Sequence, residues 1–323
     1  MGFLYSQLFK SLPYPTGSYA GKTIVITGAN VGLGKEAARH YARLGVSKLI
    51  LAVRSLDKGY AAKLDIEETT RCSQKVIEVW DLDMASYVSV QRFATRVNTD
   101  LDQVNIFLPN AGVARVNHGM AEDNEESITV NVVSTFLLAA LVLPKLKETA
   151  TRFNTRPTLT ITTSEVHGHT NFPQKSAPEG HIFDVVNDKA MVDNWNDQYP
   201  VSKLLEVYGV RAIAEKHSAD KFPVTINCVN PGLCQSELGR DTPTFGFWLI
   251  KLLLARSTEV GSRTLVHAGA QGAETHGQYL HDCEIAAPAT VVTNLEGQKA
   301  QGRVWKELVK KLERIKPNVT DNF

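Results

Sequence analysis

Lys22-Thr-Ile-Val-Ile-Thr-Gly-Ala-Asn-Val-Gly-Leu-Gly-Lys35 opens on a β-branched run, Thr23–Thr27, and ends in three glycines at fixed offsets. Branching at Cβ favours a strand over a helix. The pattern after the glycines, Gly32–Leu44, reads as an amphipathic helix, so the stretch predicts strand, tight turn, helix. Gly28 permits the turn, Gly32 lets backbone come close to a pyrophosphate, and Gly34 allows the helix to pack near the strand. Asn30, Val31 and Leu33 belong to the same loop. The helix N-terminus would face the phosphates with free N–H groups and the positive end of its dipole.

Outward from this unit, short β-branched runs alternate with longer helical patterns. Strands are expected at Thr23–Thr27, Lys48–Val53, Lys75–Trp80, Asn105–Leu108, Thr158–Thr162, Val224–Val229 and Gln278–Leu280. Helices are expected at Gly32–Leu44, Leu56–Thr70, Tyr87–Thr99, Asn124–Thr149, Tyr199–Lys216, Thr258–Ala268 and Lys299–Ile315. That rhythm predicts an α/β fold, a Rossmann-type doubly wound parallel seven-stranded sheet in a single domain over residues 21–323, after an N-terminal extension, 1–20. Polar residues 166–197 and residues 234–257 interrupt it as insertions. Both follow the C-terminal ends of strands, where open α/β sheets place ligands.

Composition narrows the function. The chain of 323 residues has 35 basic and 34 acidic side chains, which gives no footprint for nucleic acid or an anionic membrane. Its four cysteines, Cys72, Cys228, Cys234 and Cys283, lack metal or disulfide spacing and fit a reducing compartment. No metal site is expected, a small-molecule substrate is, and the expected location is cytoplasmic. No apolar run reaches the ~18–20 residues that span a bilayer. Two segments leave peripheral membrane contact as an alternative to packing on the protein's own surface: the N-terminus around Phe3, Leu4, Tyr5 and Phe9, and Phe245–Ala255.

Tyr199 and Lys203 lie four residues apart in Gln-Tyr-Pro-Val-Ser-Lys at the start of an expected helix, and so project from one face. A phenol has a reference pKa near ~10, and a fixed ammonium beside it would favour its ionised form. This pair, with Thr27-Gly-x-x-x-Gly-x-Gly34, resembles the short-chain dehydrogenase/reductase family over about Lys22 to Ser236, and most of all its retinol-dehydrogenase-like branch and fungal relatives, some of which tailor secondary metabolites. The resemblance implies roles for further positions. Asn110-Ala111-Gly112 matches the family motif that steadies the sheet and lines the cofactor cleft. Asp83, followed by Met84, matches the acid that hydrogen-bonds the adenine, with Asp81 as a competing candidate. Ser164 matches the serine that holds the substrate oxygen near Tyr199, Thr163 standing in for a preceding serine. Asn131 matches the helix asparagine that anchors a water leading to Lys203. Pro231-Gly232 and Ser236 match the segment beside the nicotinamide carboxamide. By the same analogy Tyr199 and Lys203 also contact the nicotinamide ribose. His167 and His169 stay outside the mechanism, as loop histidines without a third ligand.

The cofactor choice turns on the second strand's end. A carboxylate there would hydrogen-bond a ribose 2′-hydroxyl; this chain has Arg54 instead, with Ser55 and Lys58 nearby. A guanidinium fork suits a 2′-phosphate, so NADP(H) is expected. Phe172 and Trp195 in the first insertion, and Phe245, Phe247, Trp248, Leu249, Leu252 and Leu253 in the second, suggest either walls for a bulky, largely apolar substrate or simply the buried face of a lid helix. The expected activity is hydride transfer between a carbonyl and an alcohol with Tyr199 as general acid/base. Two rival readings are a non-redox isomerase or cyclase and a non-catalytic NADP(H)-binding regulator. The resemblance leaves the oligomeric state open between a homodimer through the helices carrying Asn131 and Tyr199 and a chain whose N-terminal extension and long C-terminal helix cover the surfaces that other members use.

Overall fold

The computed structural model describes residues 2–192, 195–236, 238 and 251–323. β1 (Thr23–Thr27) is buried along its whole length, as a run of β-branched residues covered on both faces should be. It pairs in parallel with β2 (Lys48–Val53) on one side and β4 (Ile106–Leu108) on the other. β3 (Ile77–Asp81) extends the sheet beyond β2, and β5 (Thr158–Thr162), β6 (Thr225–Asn230) and β7 (Tyr279–His281) extend it beyond β4. All of these pairings are parallel. The order therefore reverses between β1 and β4, which opens a crevice at their C-terminal ends.

The sheet has eight strands where seven were expected. β8 (Glu284–Ala286) folds back antiparallel on β7 through Asp282 and Cys283, at φ of 53° and 62°. Two positive φ values in a two-residue turn ordinarily call for glycine or asparagine. Asp282 suits the first position but Cys283 is foreign to the second, so the pair falls short of an Asn-Gly or Asp-Gly signal and the hairpin was not legible.

Helices cover both faces. On one side α2 (Gly32–Arg43) packs beside α8 (Thr258–Gly269), over a core that includes Tyr41, Ile24, Ile26 and Leu265. On the other, α4 (Tyr87–Asp100), α5 (Ser134–Phe153) and α7 (Gln198–Lys216) enclose Phe93, Phe107, Phe136 and Leu204. α3 (Leu56–Thr70), α4, α8 and α9 (Leu295–Ile315) start on Ser55, Ser86, Ser257 and Asn294, whose side chains accept first-turn N–H groups. α2 differs: it starts on Val31 with no side-chain cap.

The continuous helical stretch Glu126–Phe153 is long and apolar enough to cross a membrane, unlike the run lengths expected from the sequence. Yet 89% of its most apolar window is buried inside the protein, as a core helix is. α9 lies across α5 and α7: Trp305 meets Phe136 edge-on at 6.1 Å, and Arg211 donates to Gln301. The first insertion, with α6 (Ile182–Asn187), is tied to α9 by Arg303, which donates to the carbonyls of Lys175, Ala177 and Pro178.

α1 (Phe3–Phe9) buries its polar residues. Ser6 donates to Asp282, Gln7 donates to the carbonyls of Leu233 and Leu254, and Arg256 ion-pairs with Asp282 at 2.8 Å. The extension thus clasps the β7–β8 turn and both ends of the second insertion.

Candidate active site

The β1–α2 loop is shaped by space as much as by backbone angle. A Cβ on Gly28 would lie 2.9 Å from Ala111 Cα, and one on Gly34 would lie 2.6 Å from Asn110 Nδ2 and 2.7 Å from the Gly28 carbonyl oxygen. Gly28 and Gly32 also adopt φ of 67° and 60°. Among the described residues, a carbon added at Gly32 would meet only Ser236, 3.8 Å away, so the loop faces the Pro231–Ser236 segment here. The uncapped first turn of α2 presents its N–H groups on this side, as an anion requires. These residues fit a pyrophosphate. Asn30 is half-buried and Val31 exposed, while Leu33 packs toward Gly261 on α8.

Asn110 bolts the loop to β4: its Nδ2 donates to the carbonyls of Thr27 (2.9 Å) and Gly28 (3.3 Å). Thr27 Oγ1 accepts the backbone N–H groups of both Asn110 and Ala111. A Cβ on Gly112 would stand 3.2 Å from Asn131 Oδ1 and 3.6 Å from Lys203 Nζ, so the Asn-Ala-Gly turn reaches from the glycine loop to the lysine.

At the adenine end, the Arg54 and Lys58 side chains are exposed and make no hydrogen bond or ion pair among the described residues. The Ser55 hydroxyl is used as the α3 cap. Asp81 pairs with Arg92 on the outer edge, whereas Asp83 turns back into its own loop and accepts from Ala85 N. The Met84 side chain is buried in the core.

The chemistry-bearing side chains meet at the C-terminal ends of β4 and β5. Ser164 and Tyr199 are half-buried, and Lys203 is 4% exposed, with its Nζ 5.6 Å from the centre of the Tyr199 ring. Lys203 Nζ donates to the Thr162 carbonyl (3.0 Å) and to Glu206 Oε1 (2.8 Å). Burial pushes the Tyr199 phenol up; Lys203 and the Ser164 hydroxyl pull it down and Glu206 raises it further, with the balance upward. The sequence anticipated only the lysine's downward pull.

Asn131 sits in a single π turn, Thr129–Val133, fully buried. Its Oδ1 accepts from Val113 N, and its Nδ2 donates to Val113 O and Ser202 Oγ, all at 2.9 Å. Ser202 in turn donates to the Tyr199 carbonyl. The asparagine side chain therefore braces the start of α7. Gly232, at φ 77°, is hemmed in by Gln7 and Arg256, beside buried Pro231.

The substrate walls come out differently. Phe172 is fully buried, packed edge-on against Tyr208, and cannot line a pocket; a side chain chosen for apolar character was captured by the core. Leu252 and Leu253 are exposed. Phe245, Phe247, Trp248, Leu249 and the Trp195 side chain lie outside the described residues.

Comparison with known proteins decides the family. The short chain dehydrogenase family profile matches residues 22–177. The short chain dehydrogenase/reductase dmxR8 of Cryptosporiopsis sp. is 72% identical over the whole length of both chains. This chain belongs to the short-chain dehydrogenase/reductase family. Another relative, the short-chain dehydrogenase anuD of Penicillium roqueforti, is 40% identical over 99% of this chain and 84% of its own. Among solved structures, an alcohol dehydrogenase from the archaeon Thermococcus sibiricus complexed with 5-hydroxy-NADP shares the fold, at TM-score 0.56 and 19% identity over 80% of this chain and 95% of that one. As a family member this chain is an oxidoreductase.

Several residues of this dehydrogenase/reductase site escaped sequence reasoning. Thr27 stands one residue before Gly28, inside the quoted motif, and a hydroxyl at a strand end was a usable signal. Glu206 lies three residues after Lys203 on the same helical face, a spacing that places the two side chains together. His167 is 2% exposed rather than an open loop histidine. Its Nδ1 donates to the Ser164 carbonyl (2.7 Å) and its Nε2 accepts from Ala289 N (2.9 Å). Nothing local announces a partner 122 residues away.

Proposed function

We propose that this protein is an NADPH-dependent oxidoreductase that interconverts a carbonyl and an alcohol on a bulky, largely apolar small molecule, with Tyr199 as general acid/base. The observation that carries the reading is the convergence of Tyr199, Ser164 and Lys203 at the β1–β4 crevice, one Asn-Ala-Gly turn away from the glycine loop. When bound, the cofactor supplies or accepts the hydride. In reduction Tyr199 gives its phenolic proton to the substrate oxygen as negative charge grows there, and Ser164 donates a hydrogen bond to that oxygen. Lys203 spends two of its three N–H donors on Thr162 and Glu206, which leaves one for a ribose hydroxyl. Gly28, Gly32, Gly34 and the α2 N-terminus would hold the pyrophosphate, Asp83 the adenine, and Pro231, Gly232 and Ser236 would lie beside the nicotinamide.

The phosphate preference rests on Arg54, just past the end of β2, and Lys58, in the first turn of α3, two exposed cations whose side chains have no partner among the described residues. The Thermococcus relative, bound to an NADP derivative, is in keeping with this. NADPH absorbance followed with a panel of aldehydes and ketones tests the reading, with Tyr199→Phe as control. Loss of turnover in the variant is expected, and retained activity refutes the proton-donor role. Arg54→Asp is expected to abolish the preference for NADPH over NADH; unchanged NADPH kinetics refute that assignment. A homodimer through α5 and α7 would have to displace α9, so light scattering is expected to give a monomer or a dimer built elsewhere.

A further inference from the structure

Glu206 is an acid that the proposed chemistry does not use, yet it touches the lysine that the chemistry needs. Its side chain is 3% exposed and that of Lys203 5%, with 2.8 Å between Oε1 and Nζ. The second carboxylate oxygen, Oε2, is buried and has no hydrogen-bond partner in good geometry among the described residues; the nearby Thr163 hydroxyl lowers the carboxyl's pKa but donates to the Lys203 carbonyl. Such an arrangement is costly to keep, since an under-satisfied buried carboxylate contributes little to stability by itself.

We propose that Glu206 is a positioning residue that holds Lys203 and offsets its charge, so that Tyr199 keeps its proton and the site works chiefly as a proton donor, in the direction of carbonyl reduction. This rests on the reading of Tyr199 as the general acid. A lone ammonium beside a phenol favours phenolate, whereas an ammonium already paired with a carboxylate exerts a much weaker field. In reduction hydride goes from the cofactor to the carbonyl carbon and the Tyr199 proton to its oxygen; solvent then reprotonates the tyrosine. Glu206 forms and breaks no bond in either step.

The surroundings leave this balance to few groups. Lys203 and Tyr199 share its helix, Thr162 and Thr163 at the end of β5 are neutral, and Asn131 on the π turn is neutral. Cys228 faces it from β6 and stays a thiol, its pKa raised by burial and by Glu206 itself. Lys203 is the only charge among the described residues that acts on the Glu206 carboxyl, which burial pushes up to about 7. The offset is therefore present above neutrality and fades as Glu206 gains its proton below it.

Two pH profiles test this: oxidative kcat/KM with an accepted alcohol and NADP+, and reductive kcat/KM with the matching carbonyl and NADPH. Wild type is compared with Glu206→Gln, which keeps the shape and an acceptor oxygen for Lys203 but carries no charge. Below about pH 6 the two proteins should coincide. Above about pH 7 the variant's oxidative limb should rise, and its reductive limb fall, about one pH unit earlier, about tenfold on the sloping limbs. Profiles that superimpose after scaling, or a shift to higher pH, overturn the proposal. If Glu206→Gln does not fold, wild type alone decides, because its oxidative profile must hold two ionisations, one near neutrality and one higher; a single ionisation overturns it. Tyrosinate absorbance, taken as the difference between each protein and its Tyr199→Phe counterpart, needs no turnover. The expected absorbance shift without turnover refutes the catalytic reading alone, and turnover without a Glu206-dependent shift refutes the role of Glu206 alone.

Discussion

Thr27→Val removes one oxygen atom and almost nothing else. The hydroxyl accepts two backbone N–H groups, from Asn110 at 3.0 Å and Ala111 at 2.9 Å. Valine has nearly the same shape, so the change leaves both donors without a partner and opens no cavity. A buried donor left unsatisfied costs about 1–3 kcal/mol, and for two partly buried ones the lower half of that range gives about 2–4 kcal/mol. Unfolding entropy of about 2.1 cal/mol/K per residue amounts to about 0.7 kcal/mol/K for 323 residues. The melting temperature should therefore fall by about 3–6 °C. Because the same turn lines the cofactor crevice, loosening it should also weaken NADPH binding by about 5- to 30-fold, or about 1–2 kcal/mol. Differential scanning fluorimetry and a fluorescence titration with NADPH measure the two effects, and Thr27→Ser, which keeps the hydroxyl, should recover most of both. A valine variant that melts within about 1 °C of wild type would refute the claim that this hydroxyl joins β1 to the Asn-Ala-Gly turn.

Gly34→Ala should cost NADPH affinity by tenfold or more (about 1.4 kcal/mol), because its new methyl would sit 2.6 Å from Asn110 Nδ2 and 2.7 Å from a backbone oxygen. An unchanged dissociation constant in a fluorescence titration counts against it. Burial lowers the pKa of His167 below 6.5, so the unfolded chain takes up the proton first, and stability present above about pH 6.5 is lost as the pH falls through the folded value. His167→Gln should flatten that acid slope in a series of melting curves and lower kcat by loosening Ser164; an unaltered slope contradicts the neutral, Nδ1-protonated imidazole inferred from its two partners. Asp282→Ala should destabilise the protein by about 3–5 kcal/mol in a denaturant titration, since it strands the buried Arg256. A loss below about 1 kcal/mol would mean that the N-terminal clasp contributes little.

The sequence was most legible where neighbours in the chain decide the outcome. Five consecutive β-branched residues make β1 a strand, and the glycine offsets and the Tyr199–Lys203 spacing follow the local geometry of a turn and of a helix. The expected strands recur within about two residues at either end, and α3 spans Leu56–Thr70 as read. Periodicity could not show where a side chain finds its distant partner. Phe172 has the composition of a pocket wall and became core because Tyr208 lies beside it in space.

By itself, then, the sequence determined the alternation of elements, the glycine cradle and the candidate residues, because propensity and spacing act within a few residues of each other. Only the tertiary structure decided the strand added through Asp282 and Cys283, the clasp of Ser6 and Gln7 on segments more than 200 residues away, and the π turn that bends Asn131 toward Val113. It also decided the electrostatics of Tyr199. A phenol's proton affinity depends on how much water is excluded and which charges are enclosed with it, and both were set when α7 packed over the sheet and buried Lys203 together with Glu206.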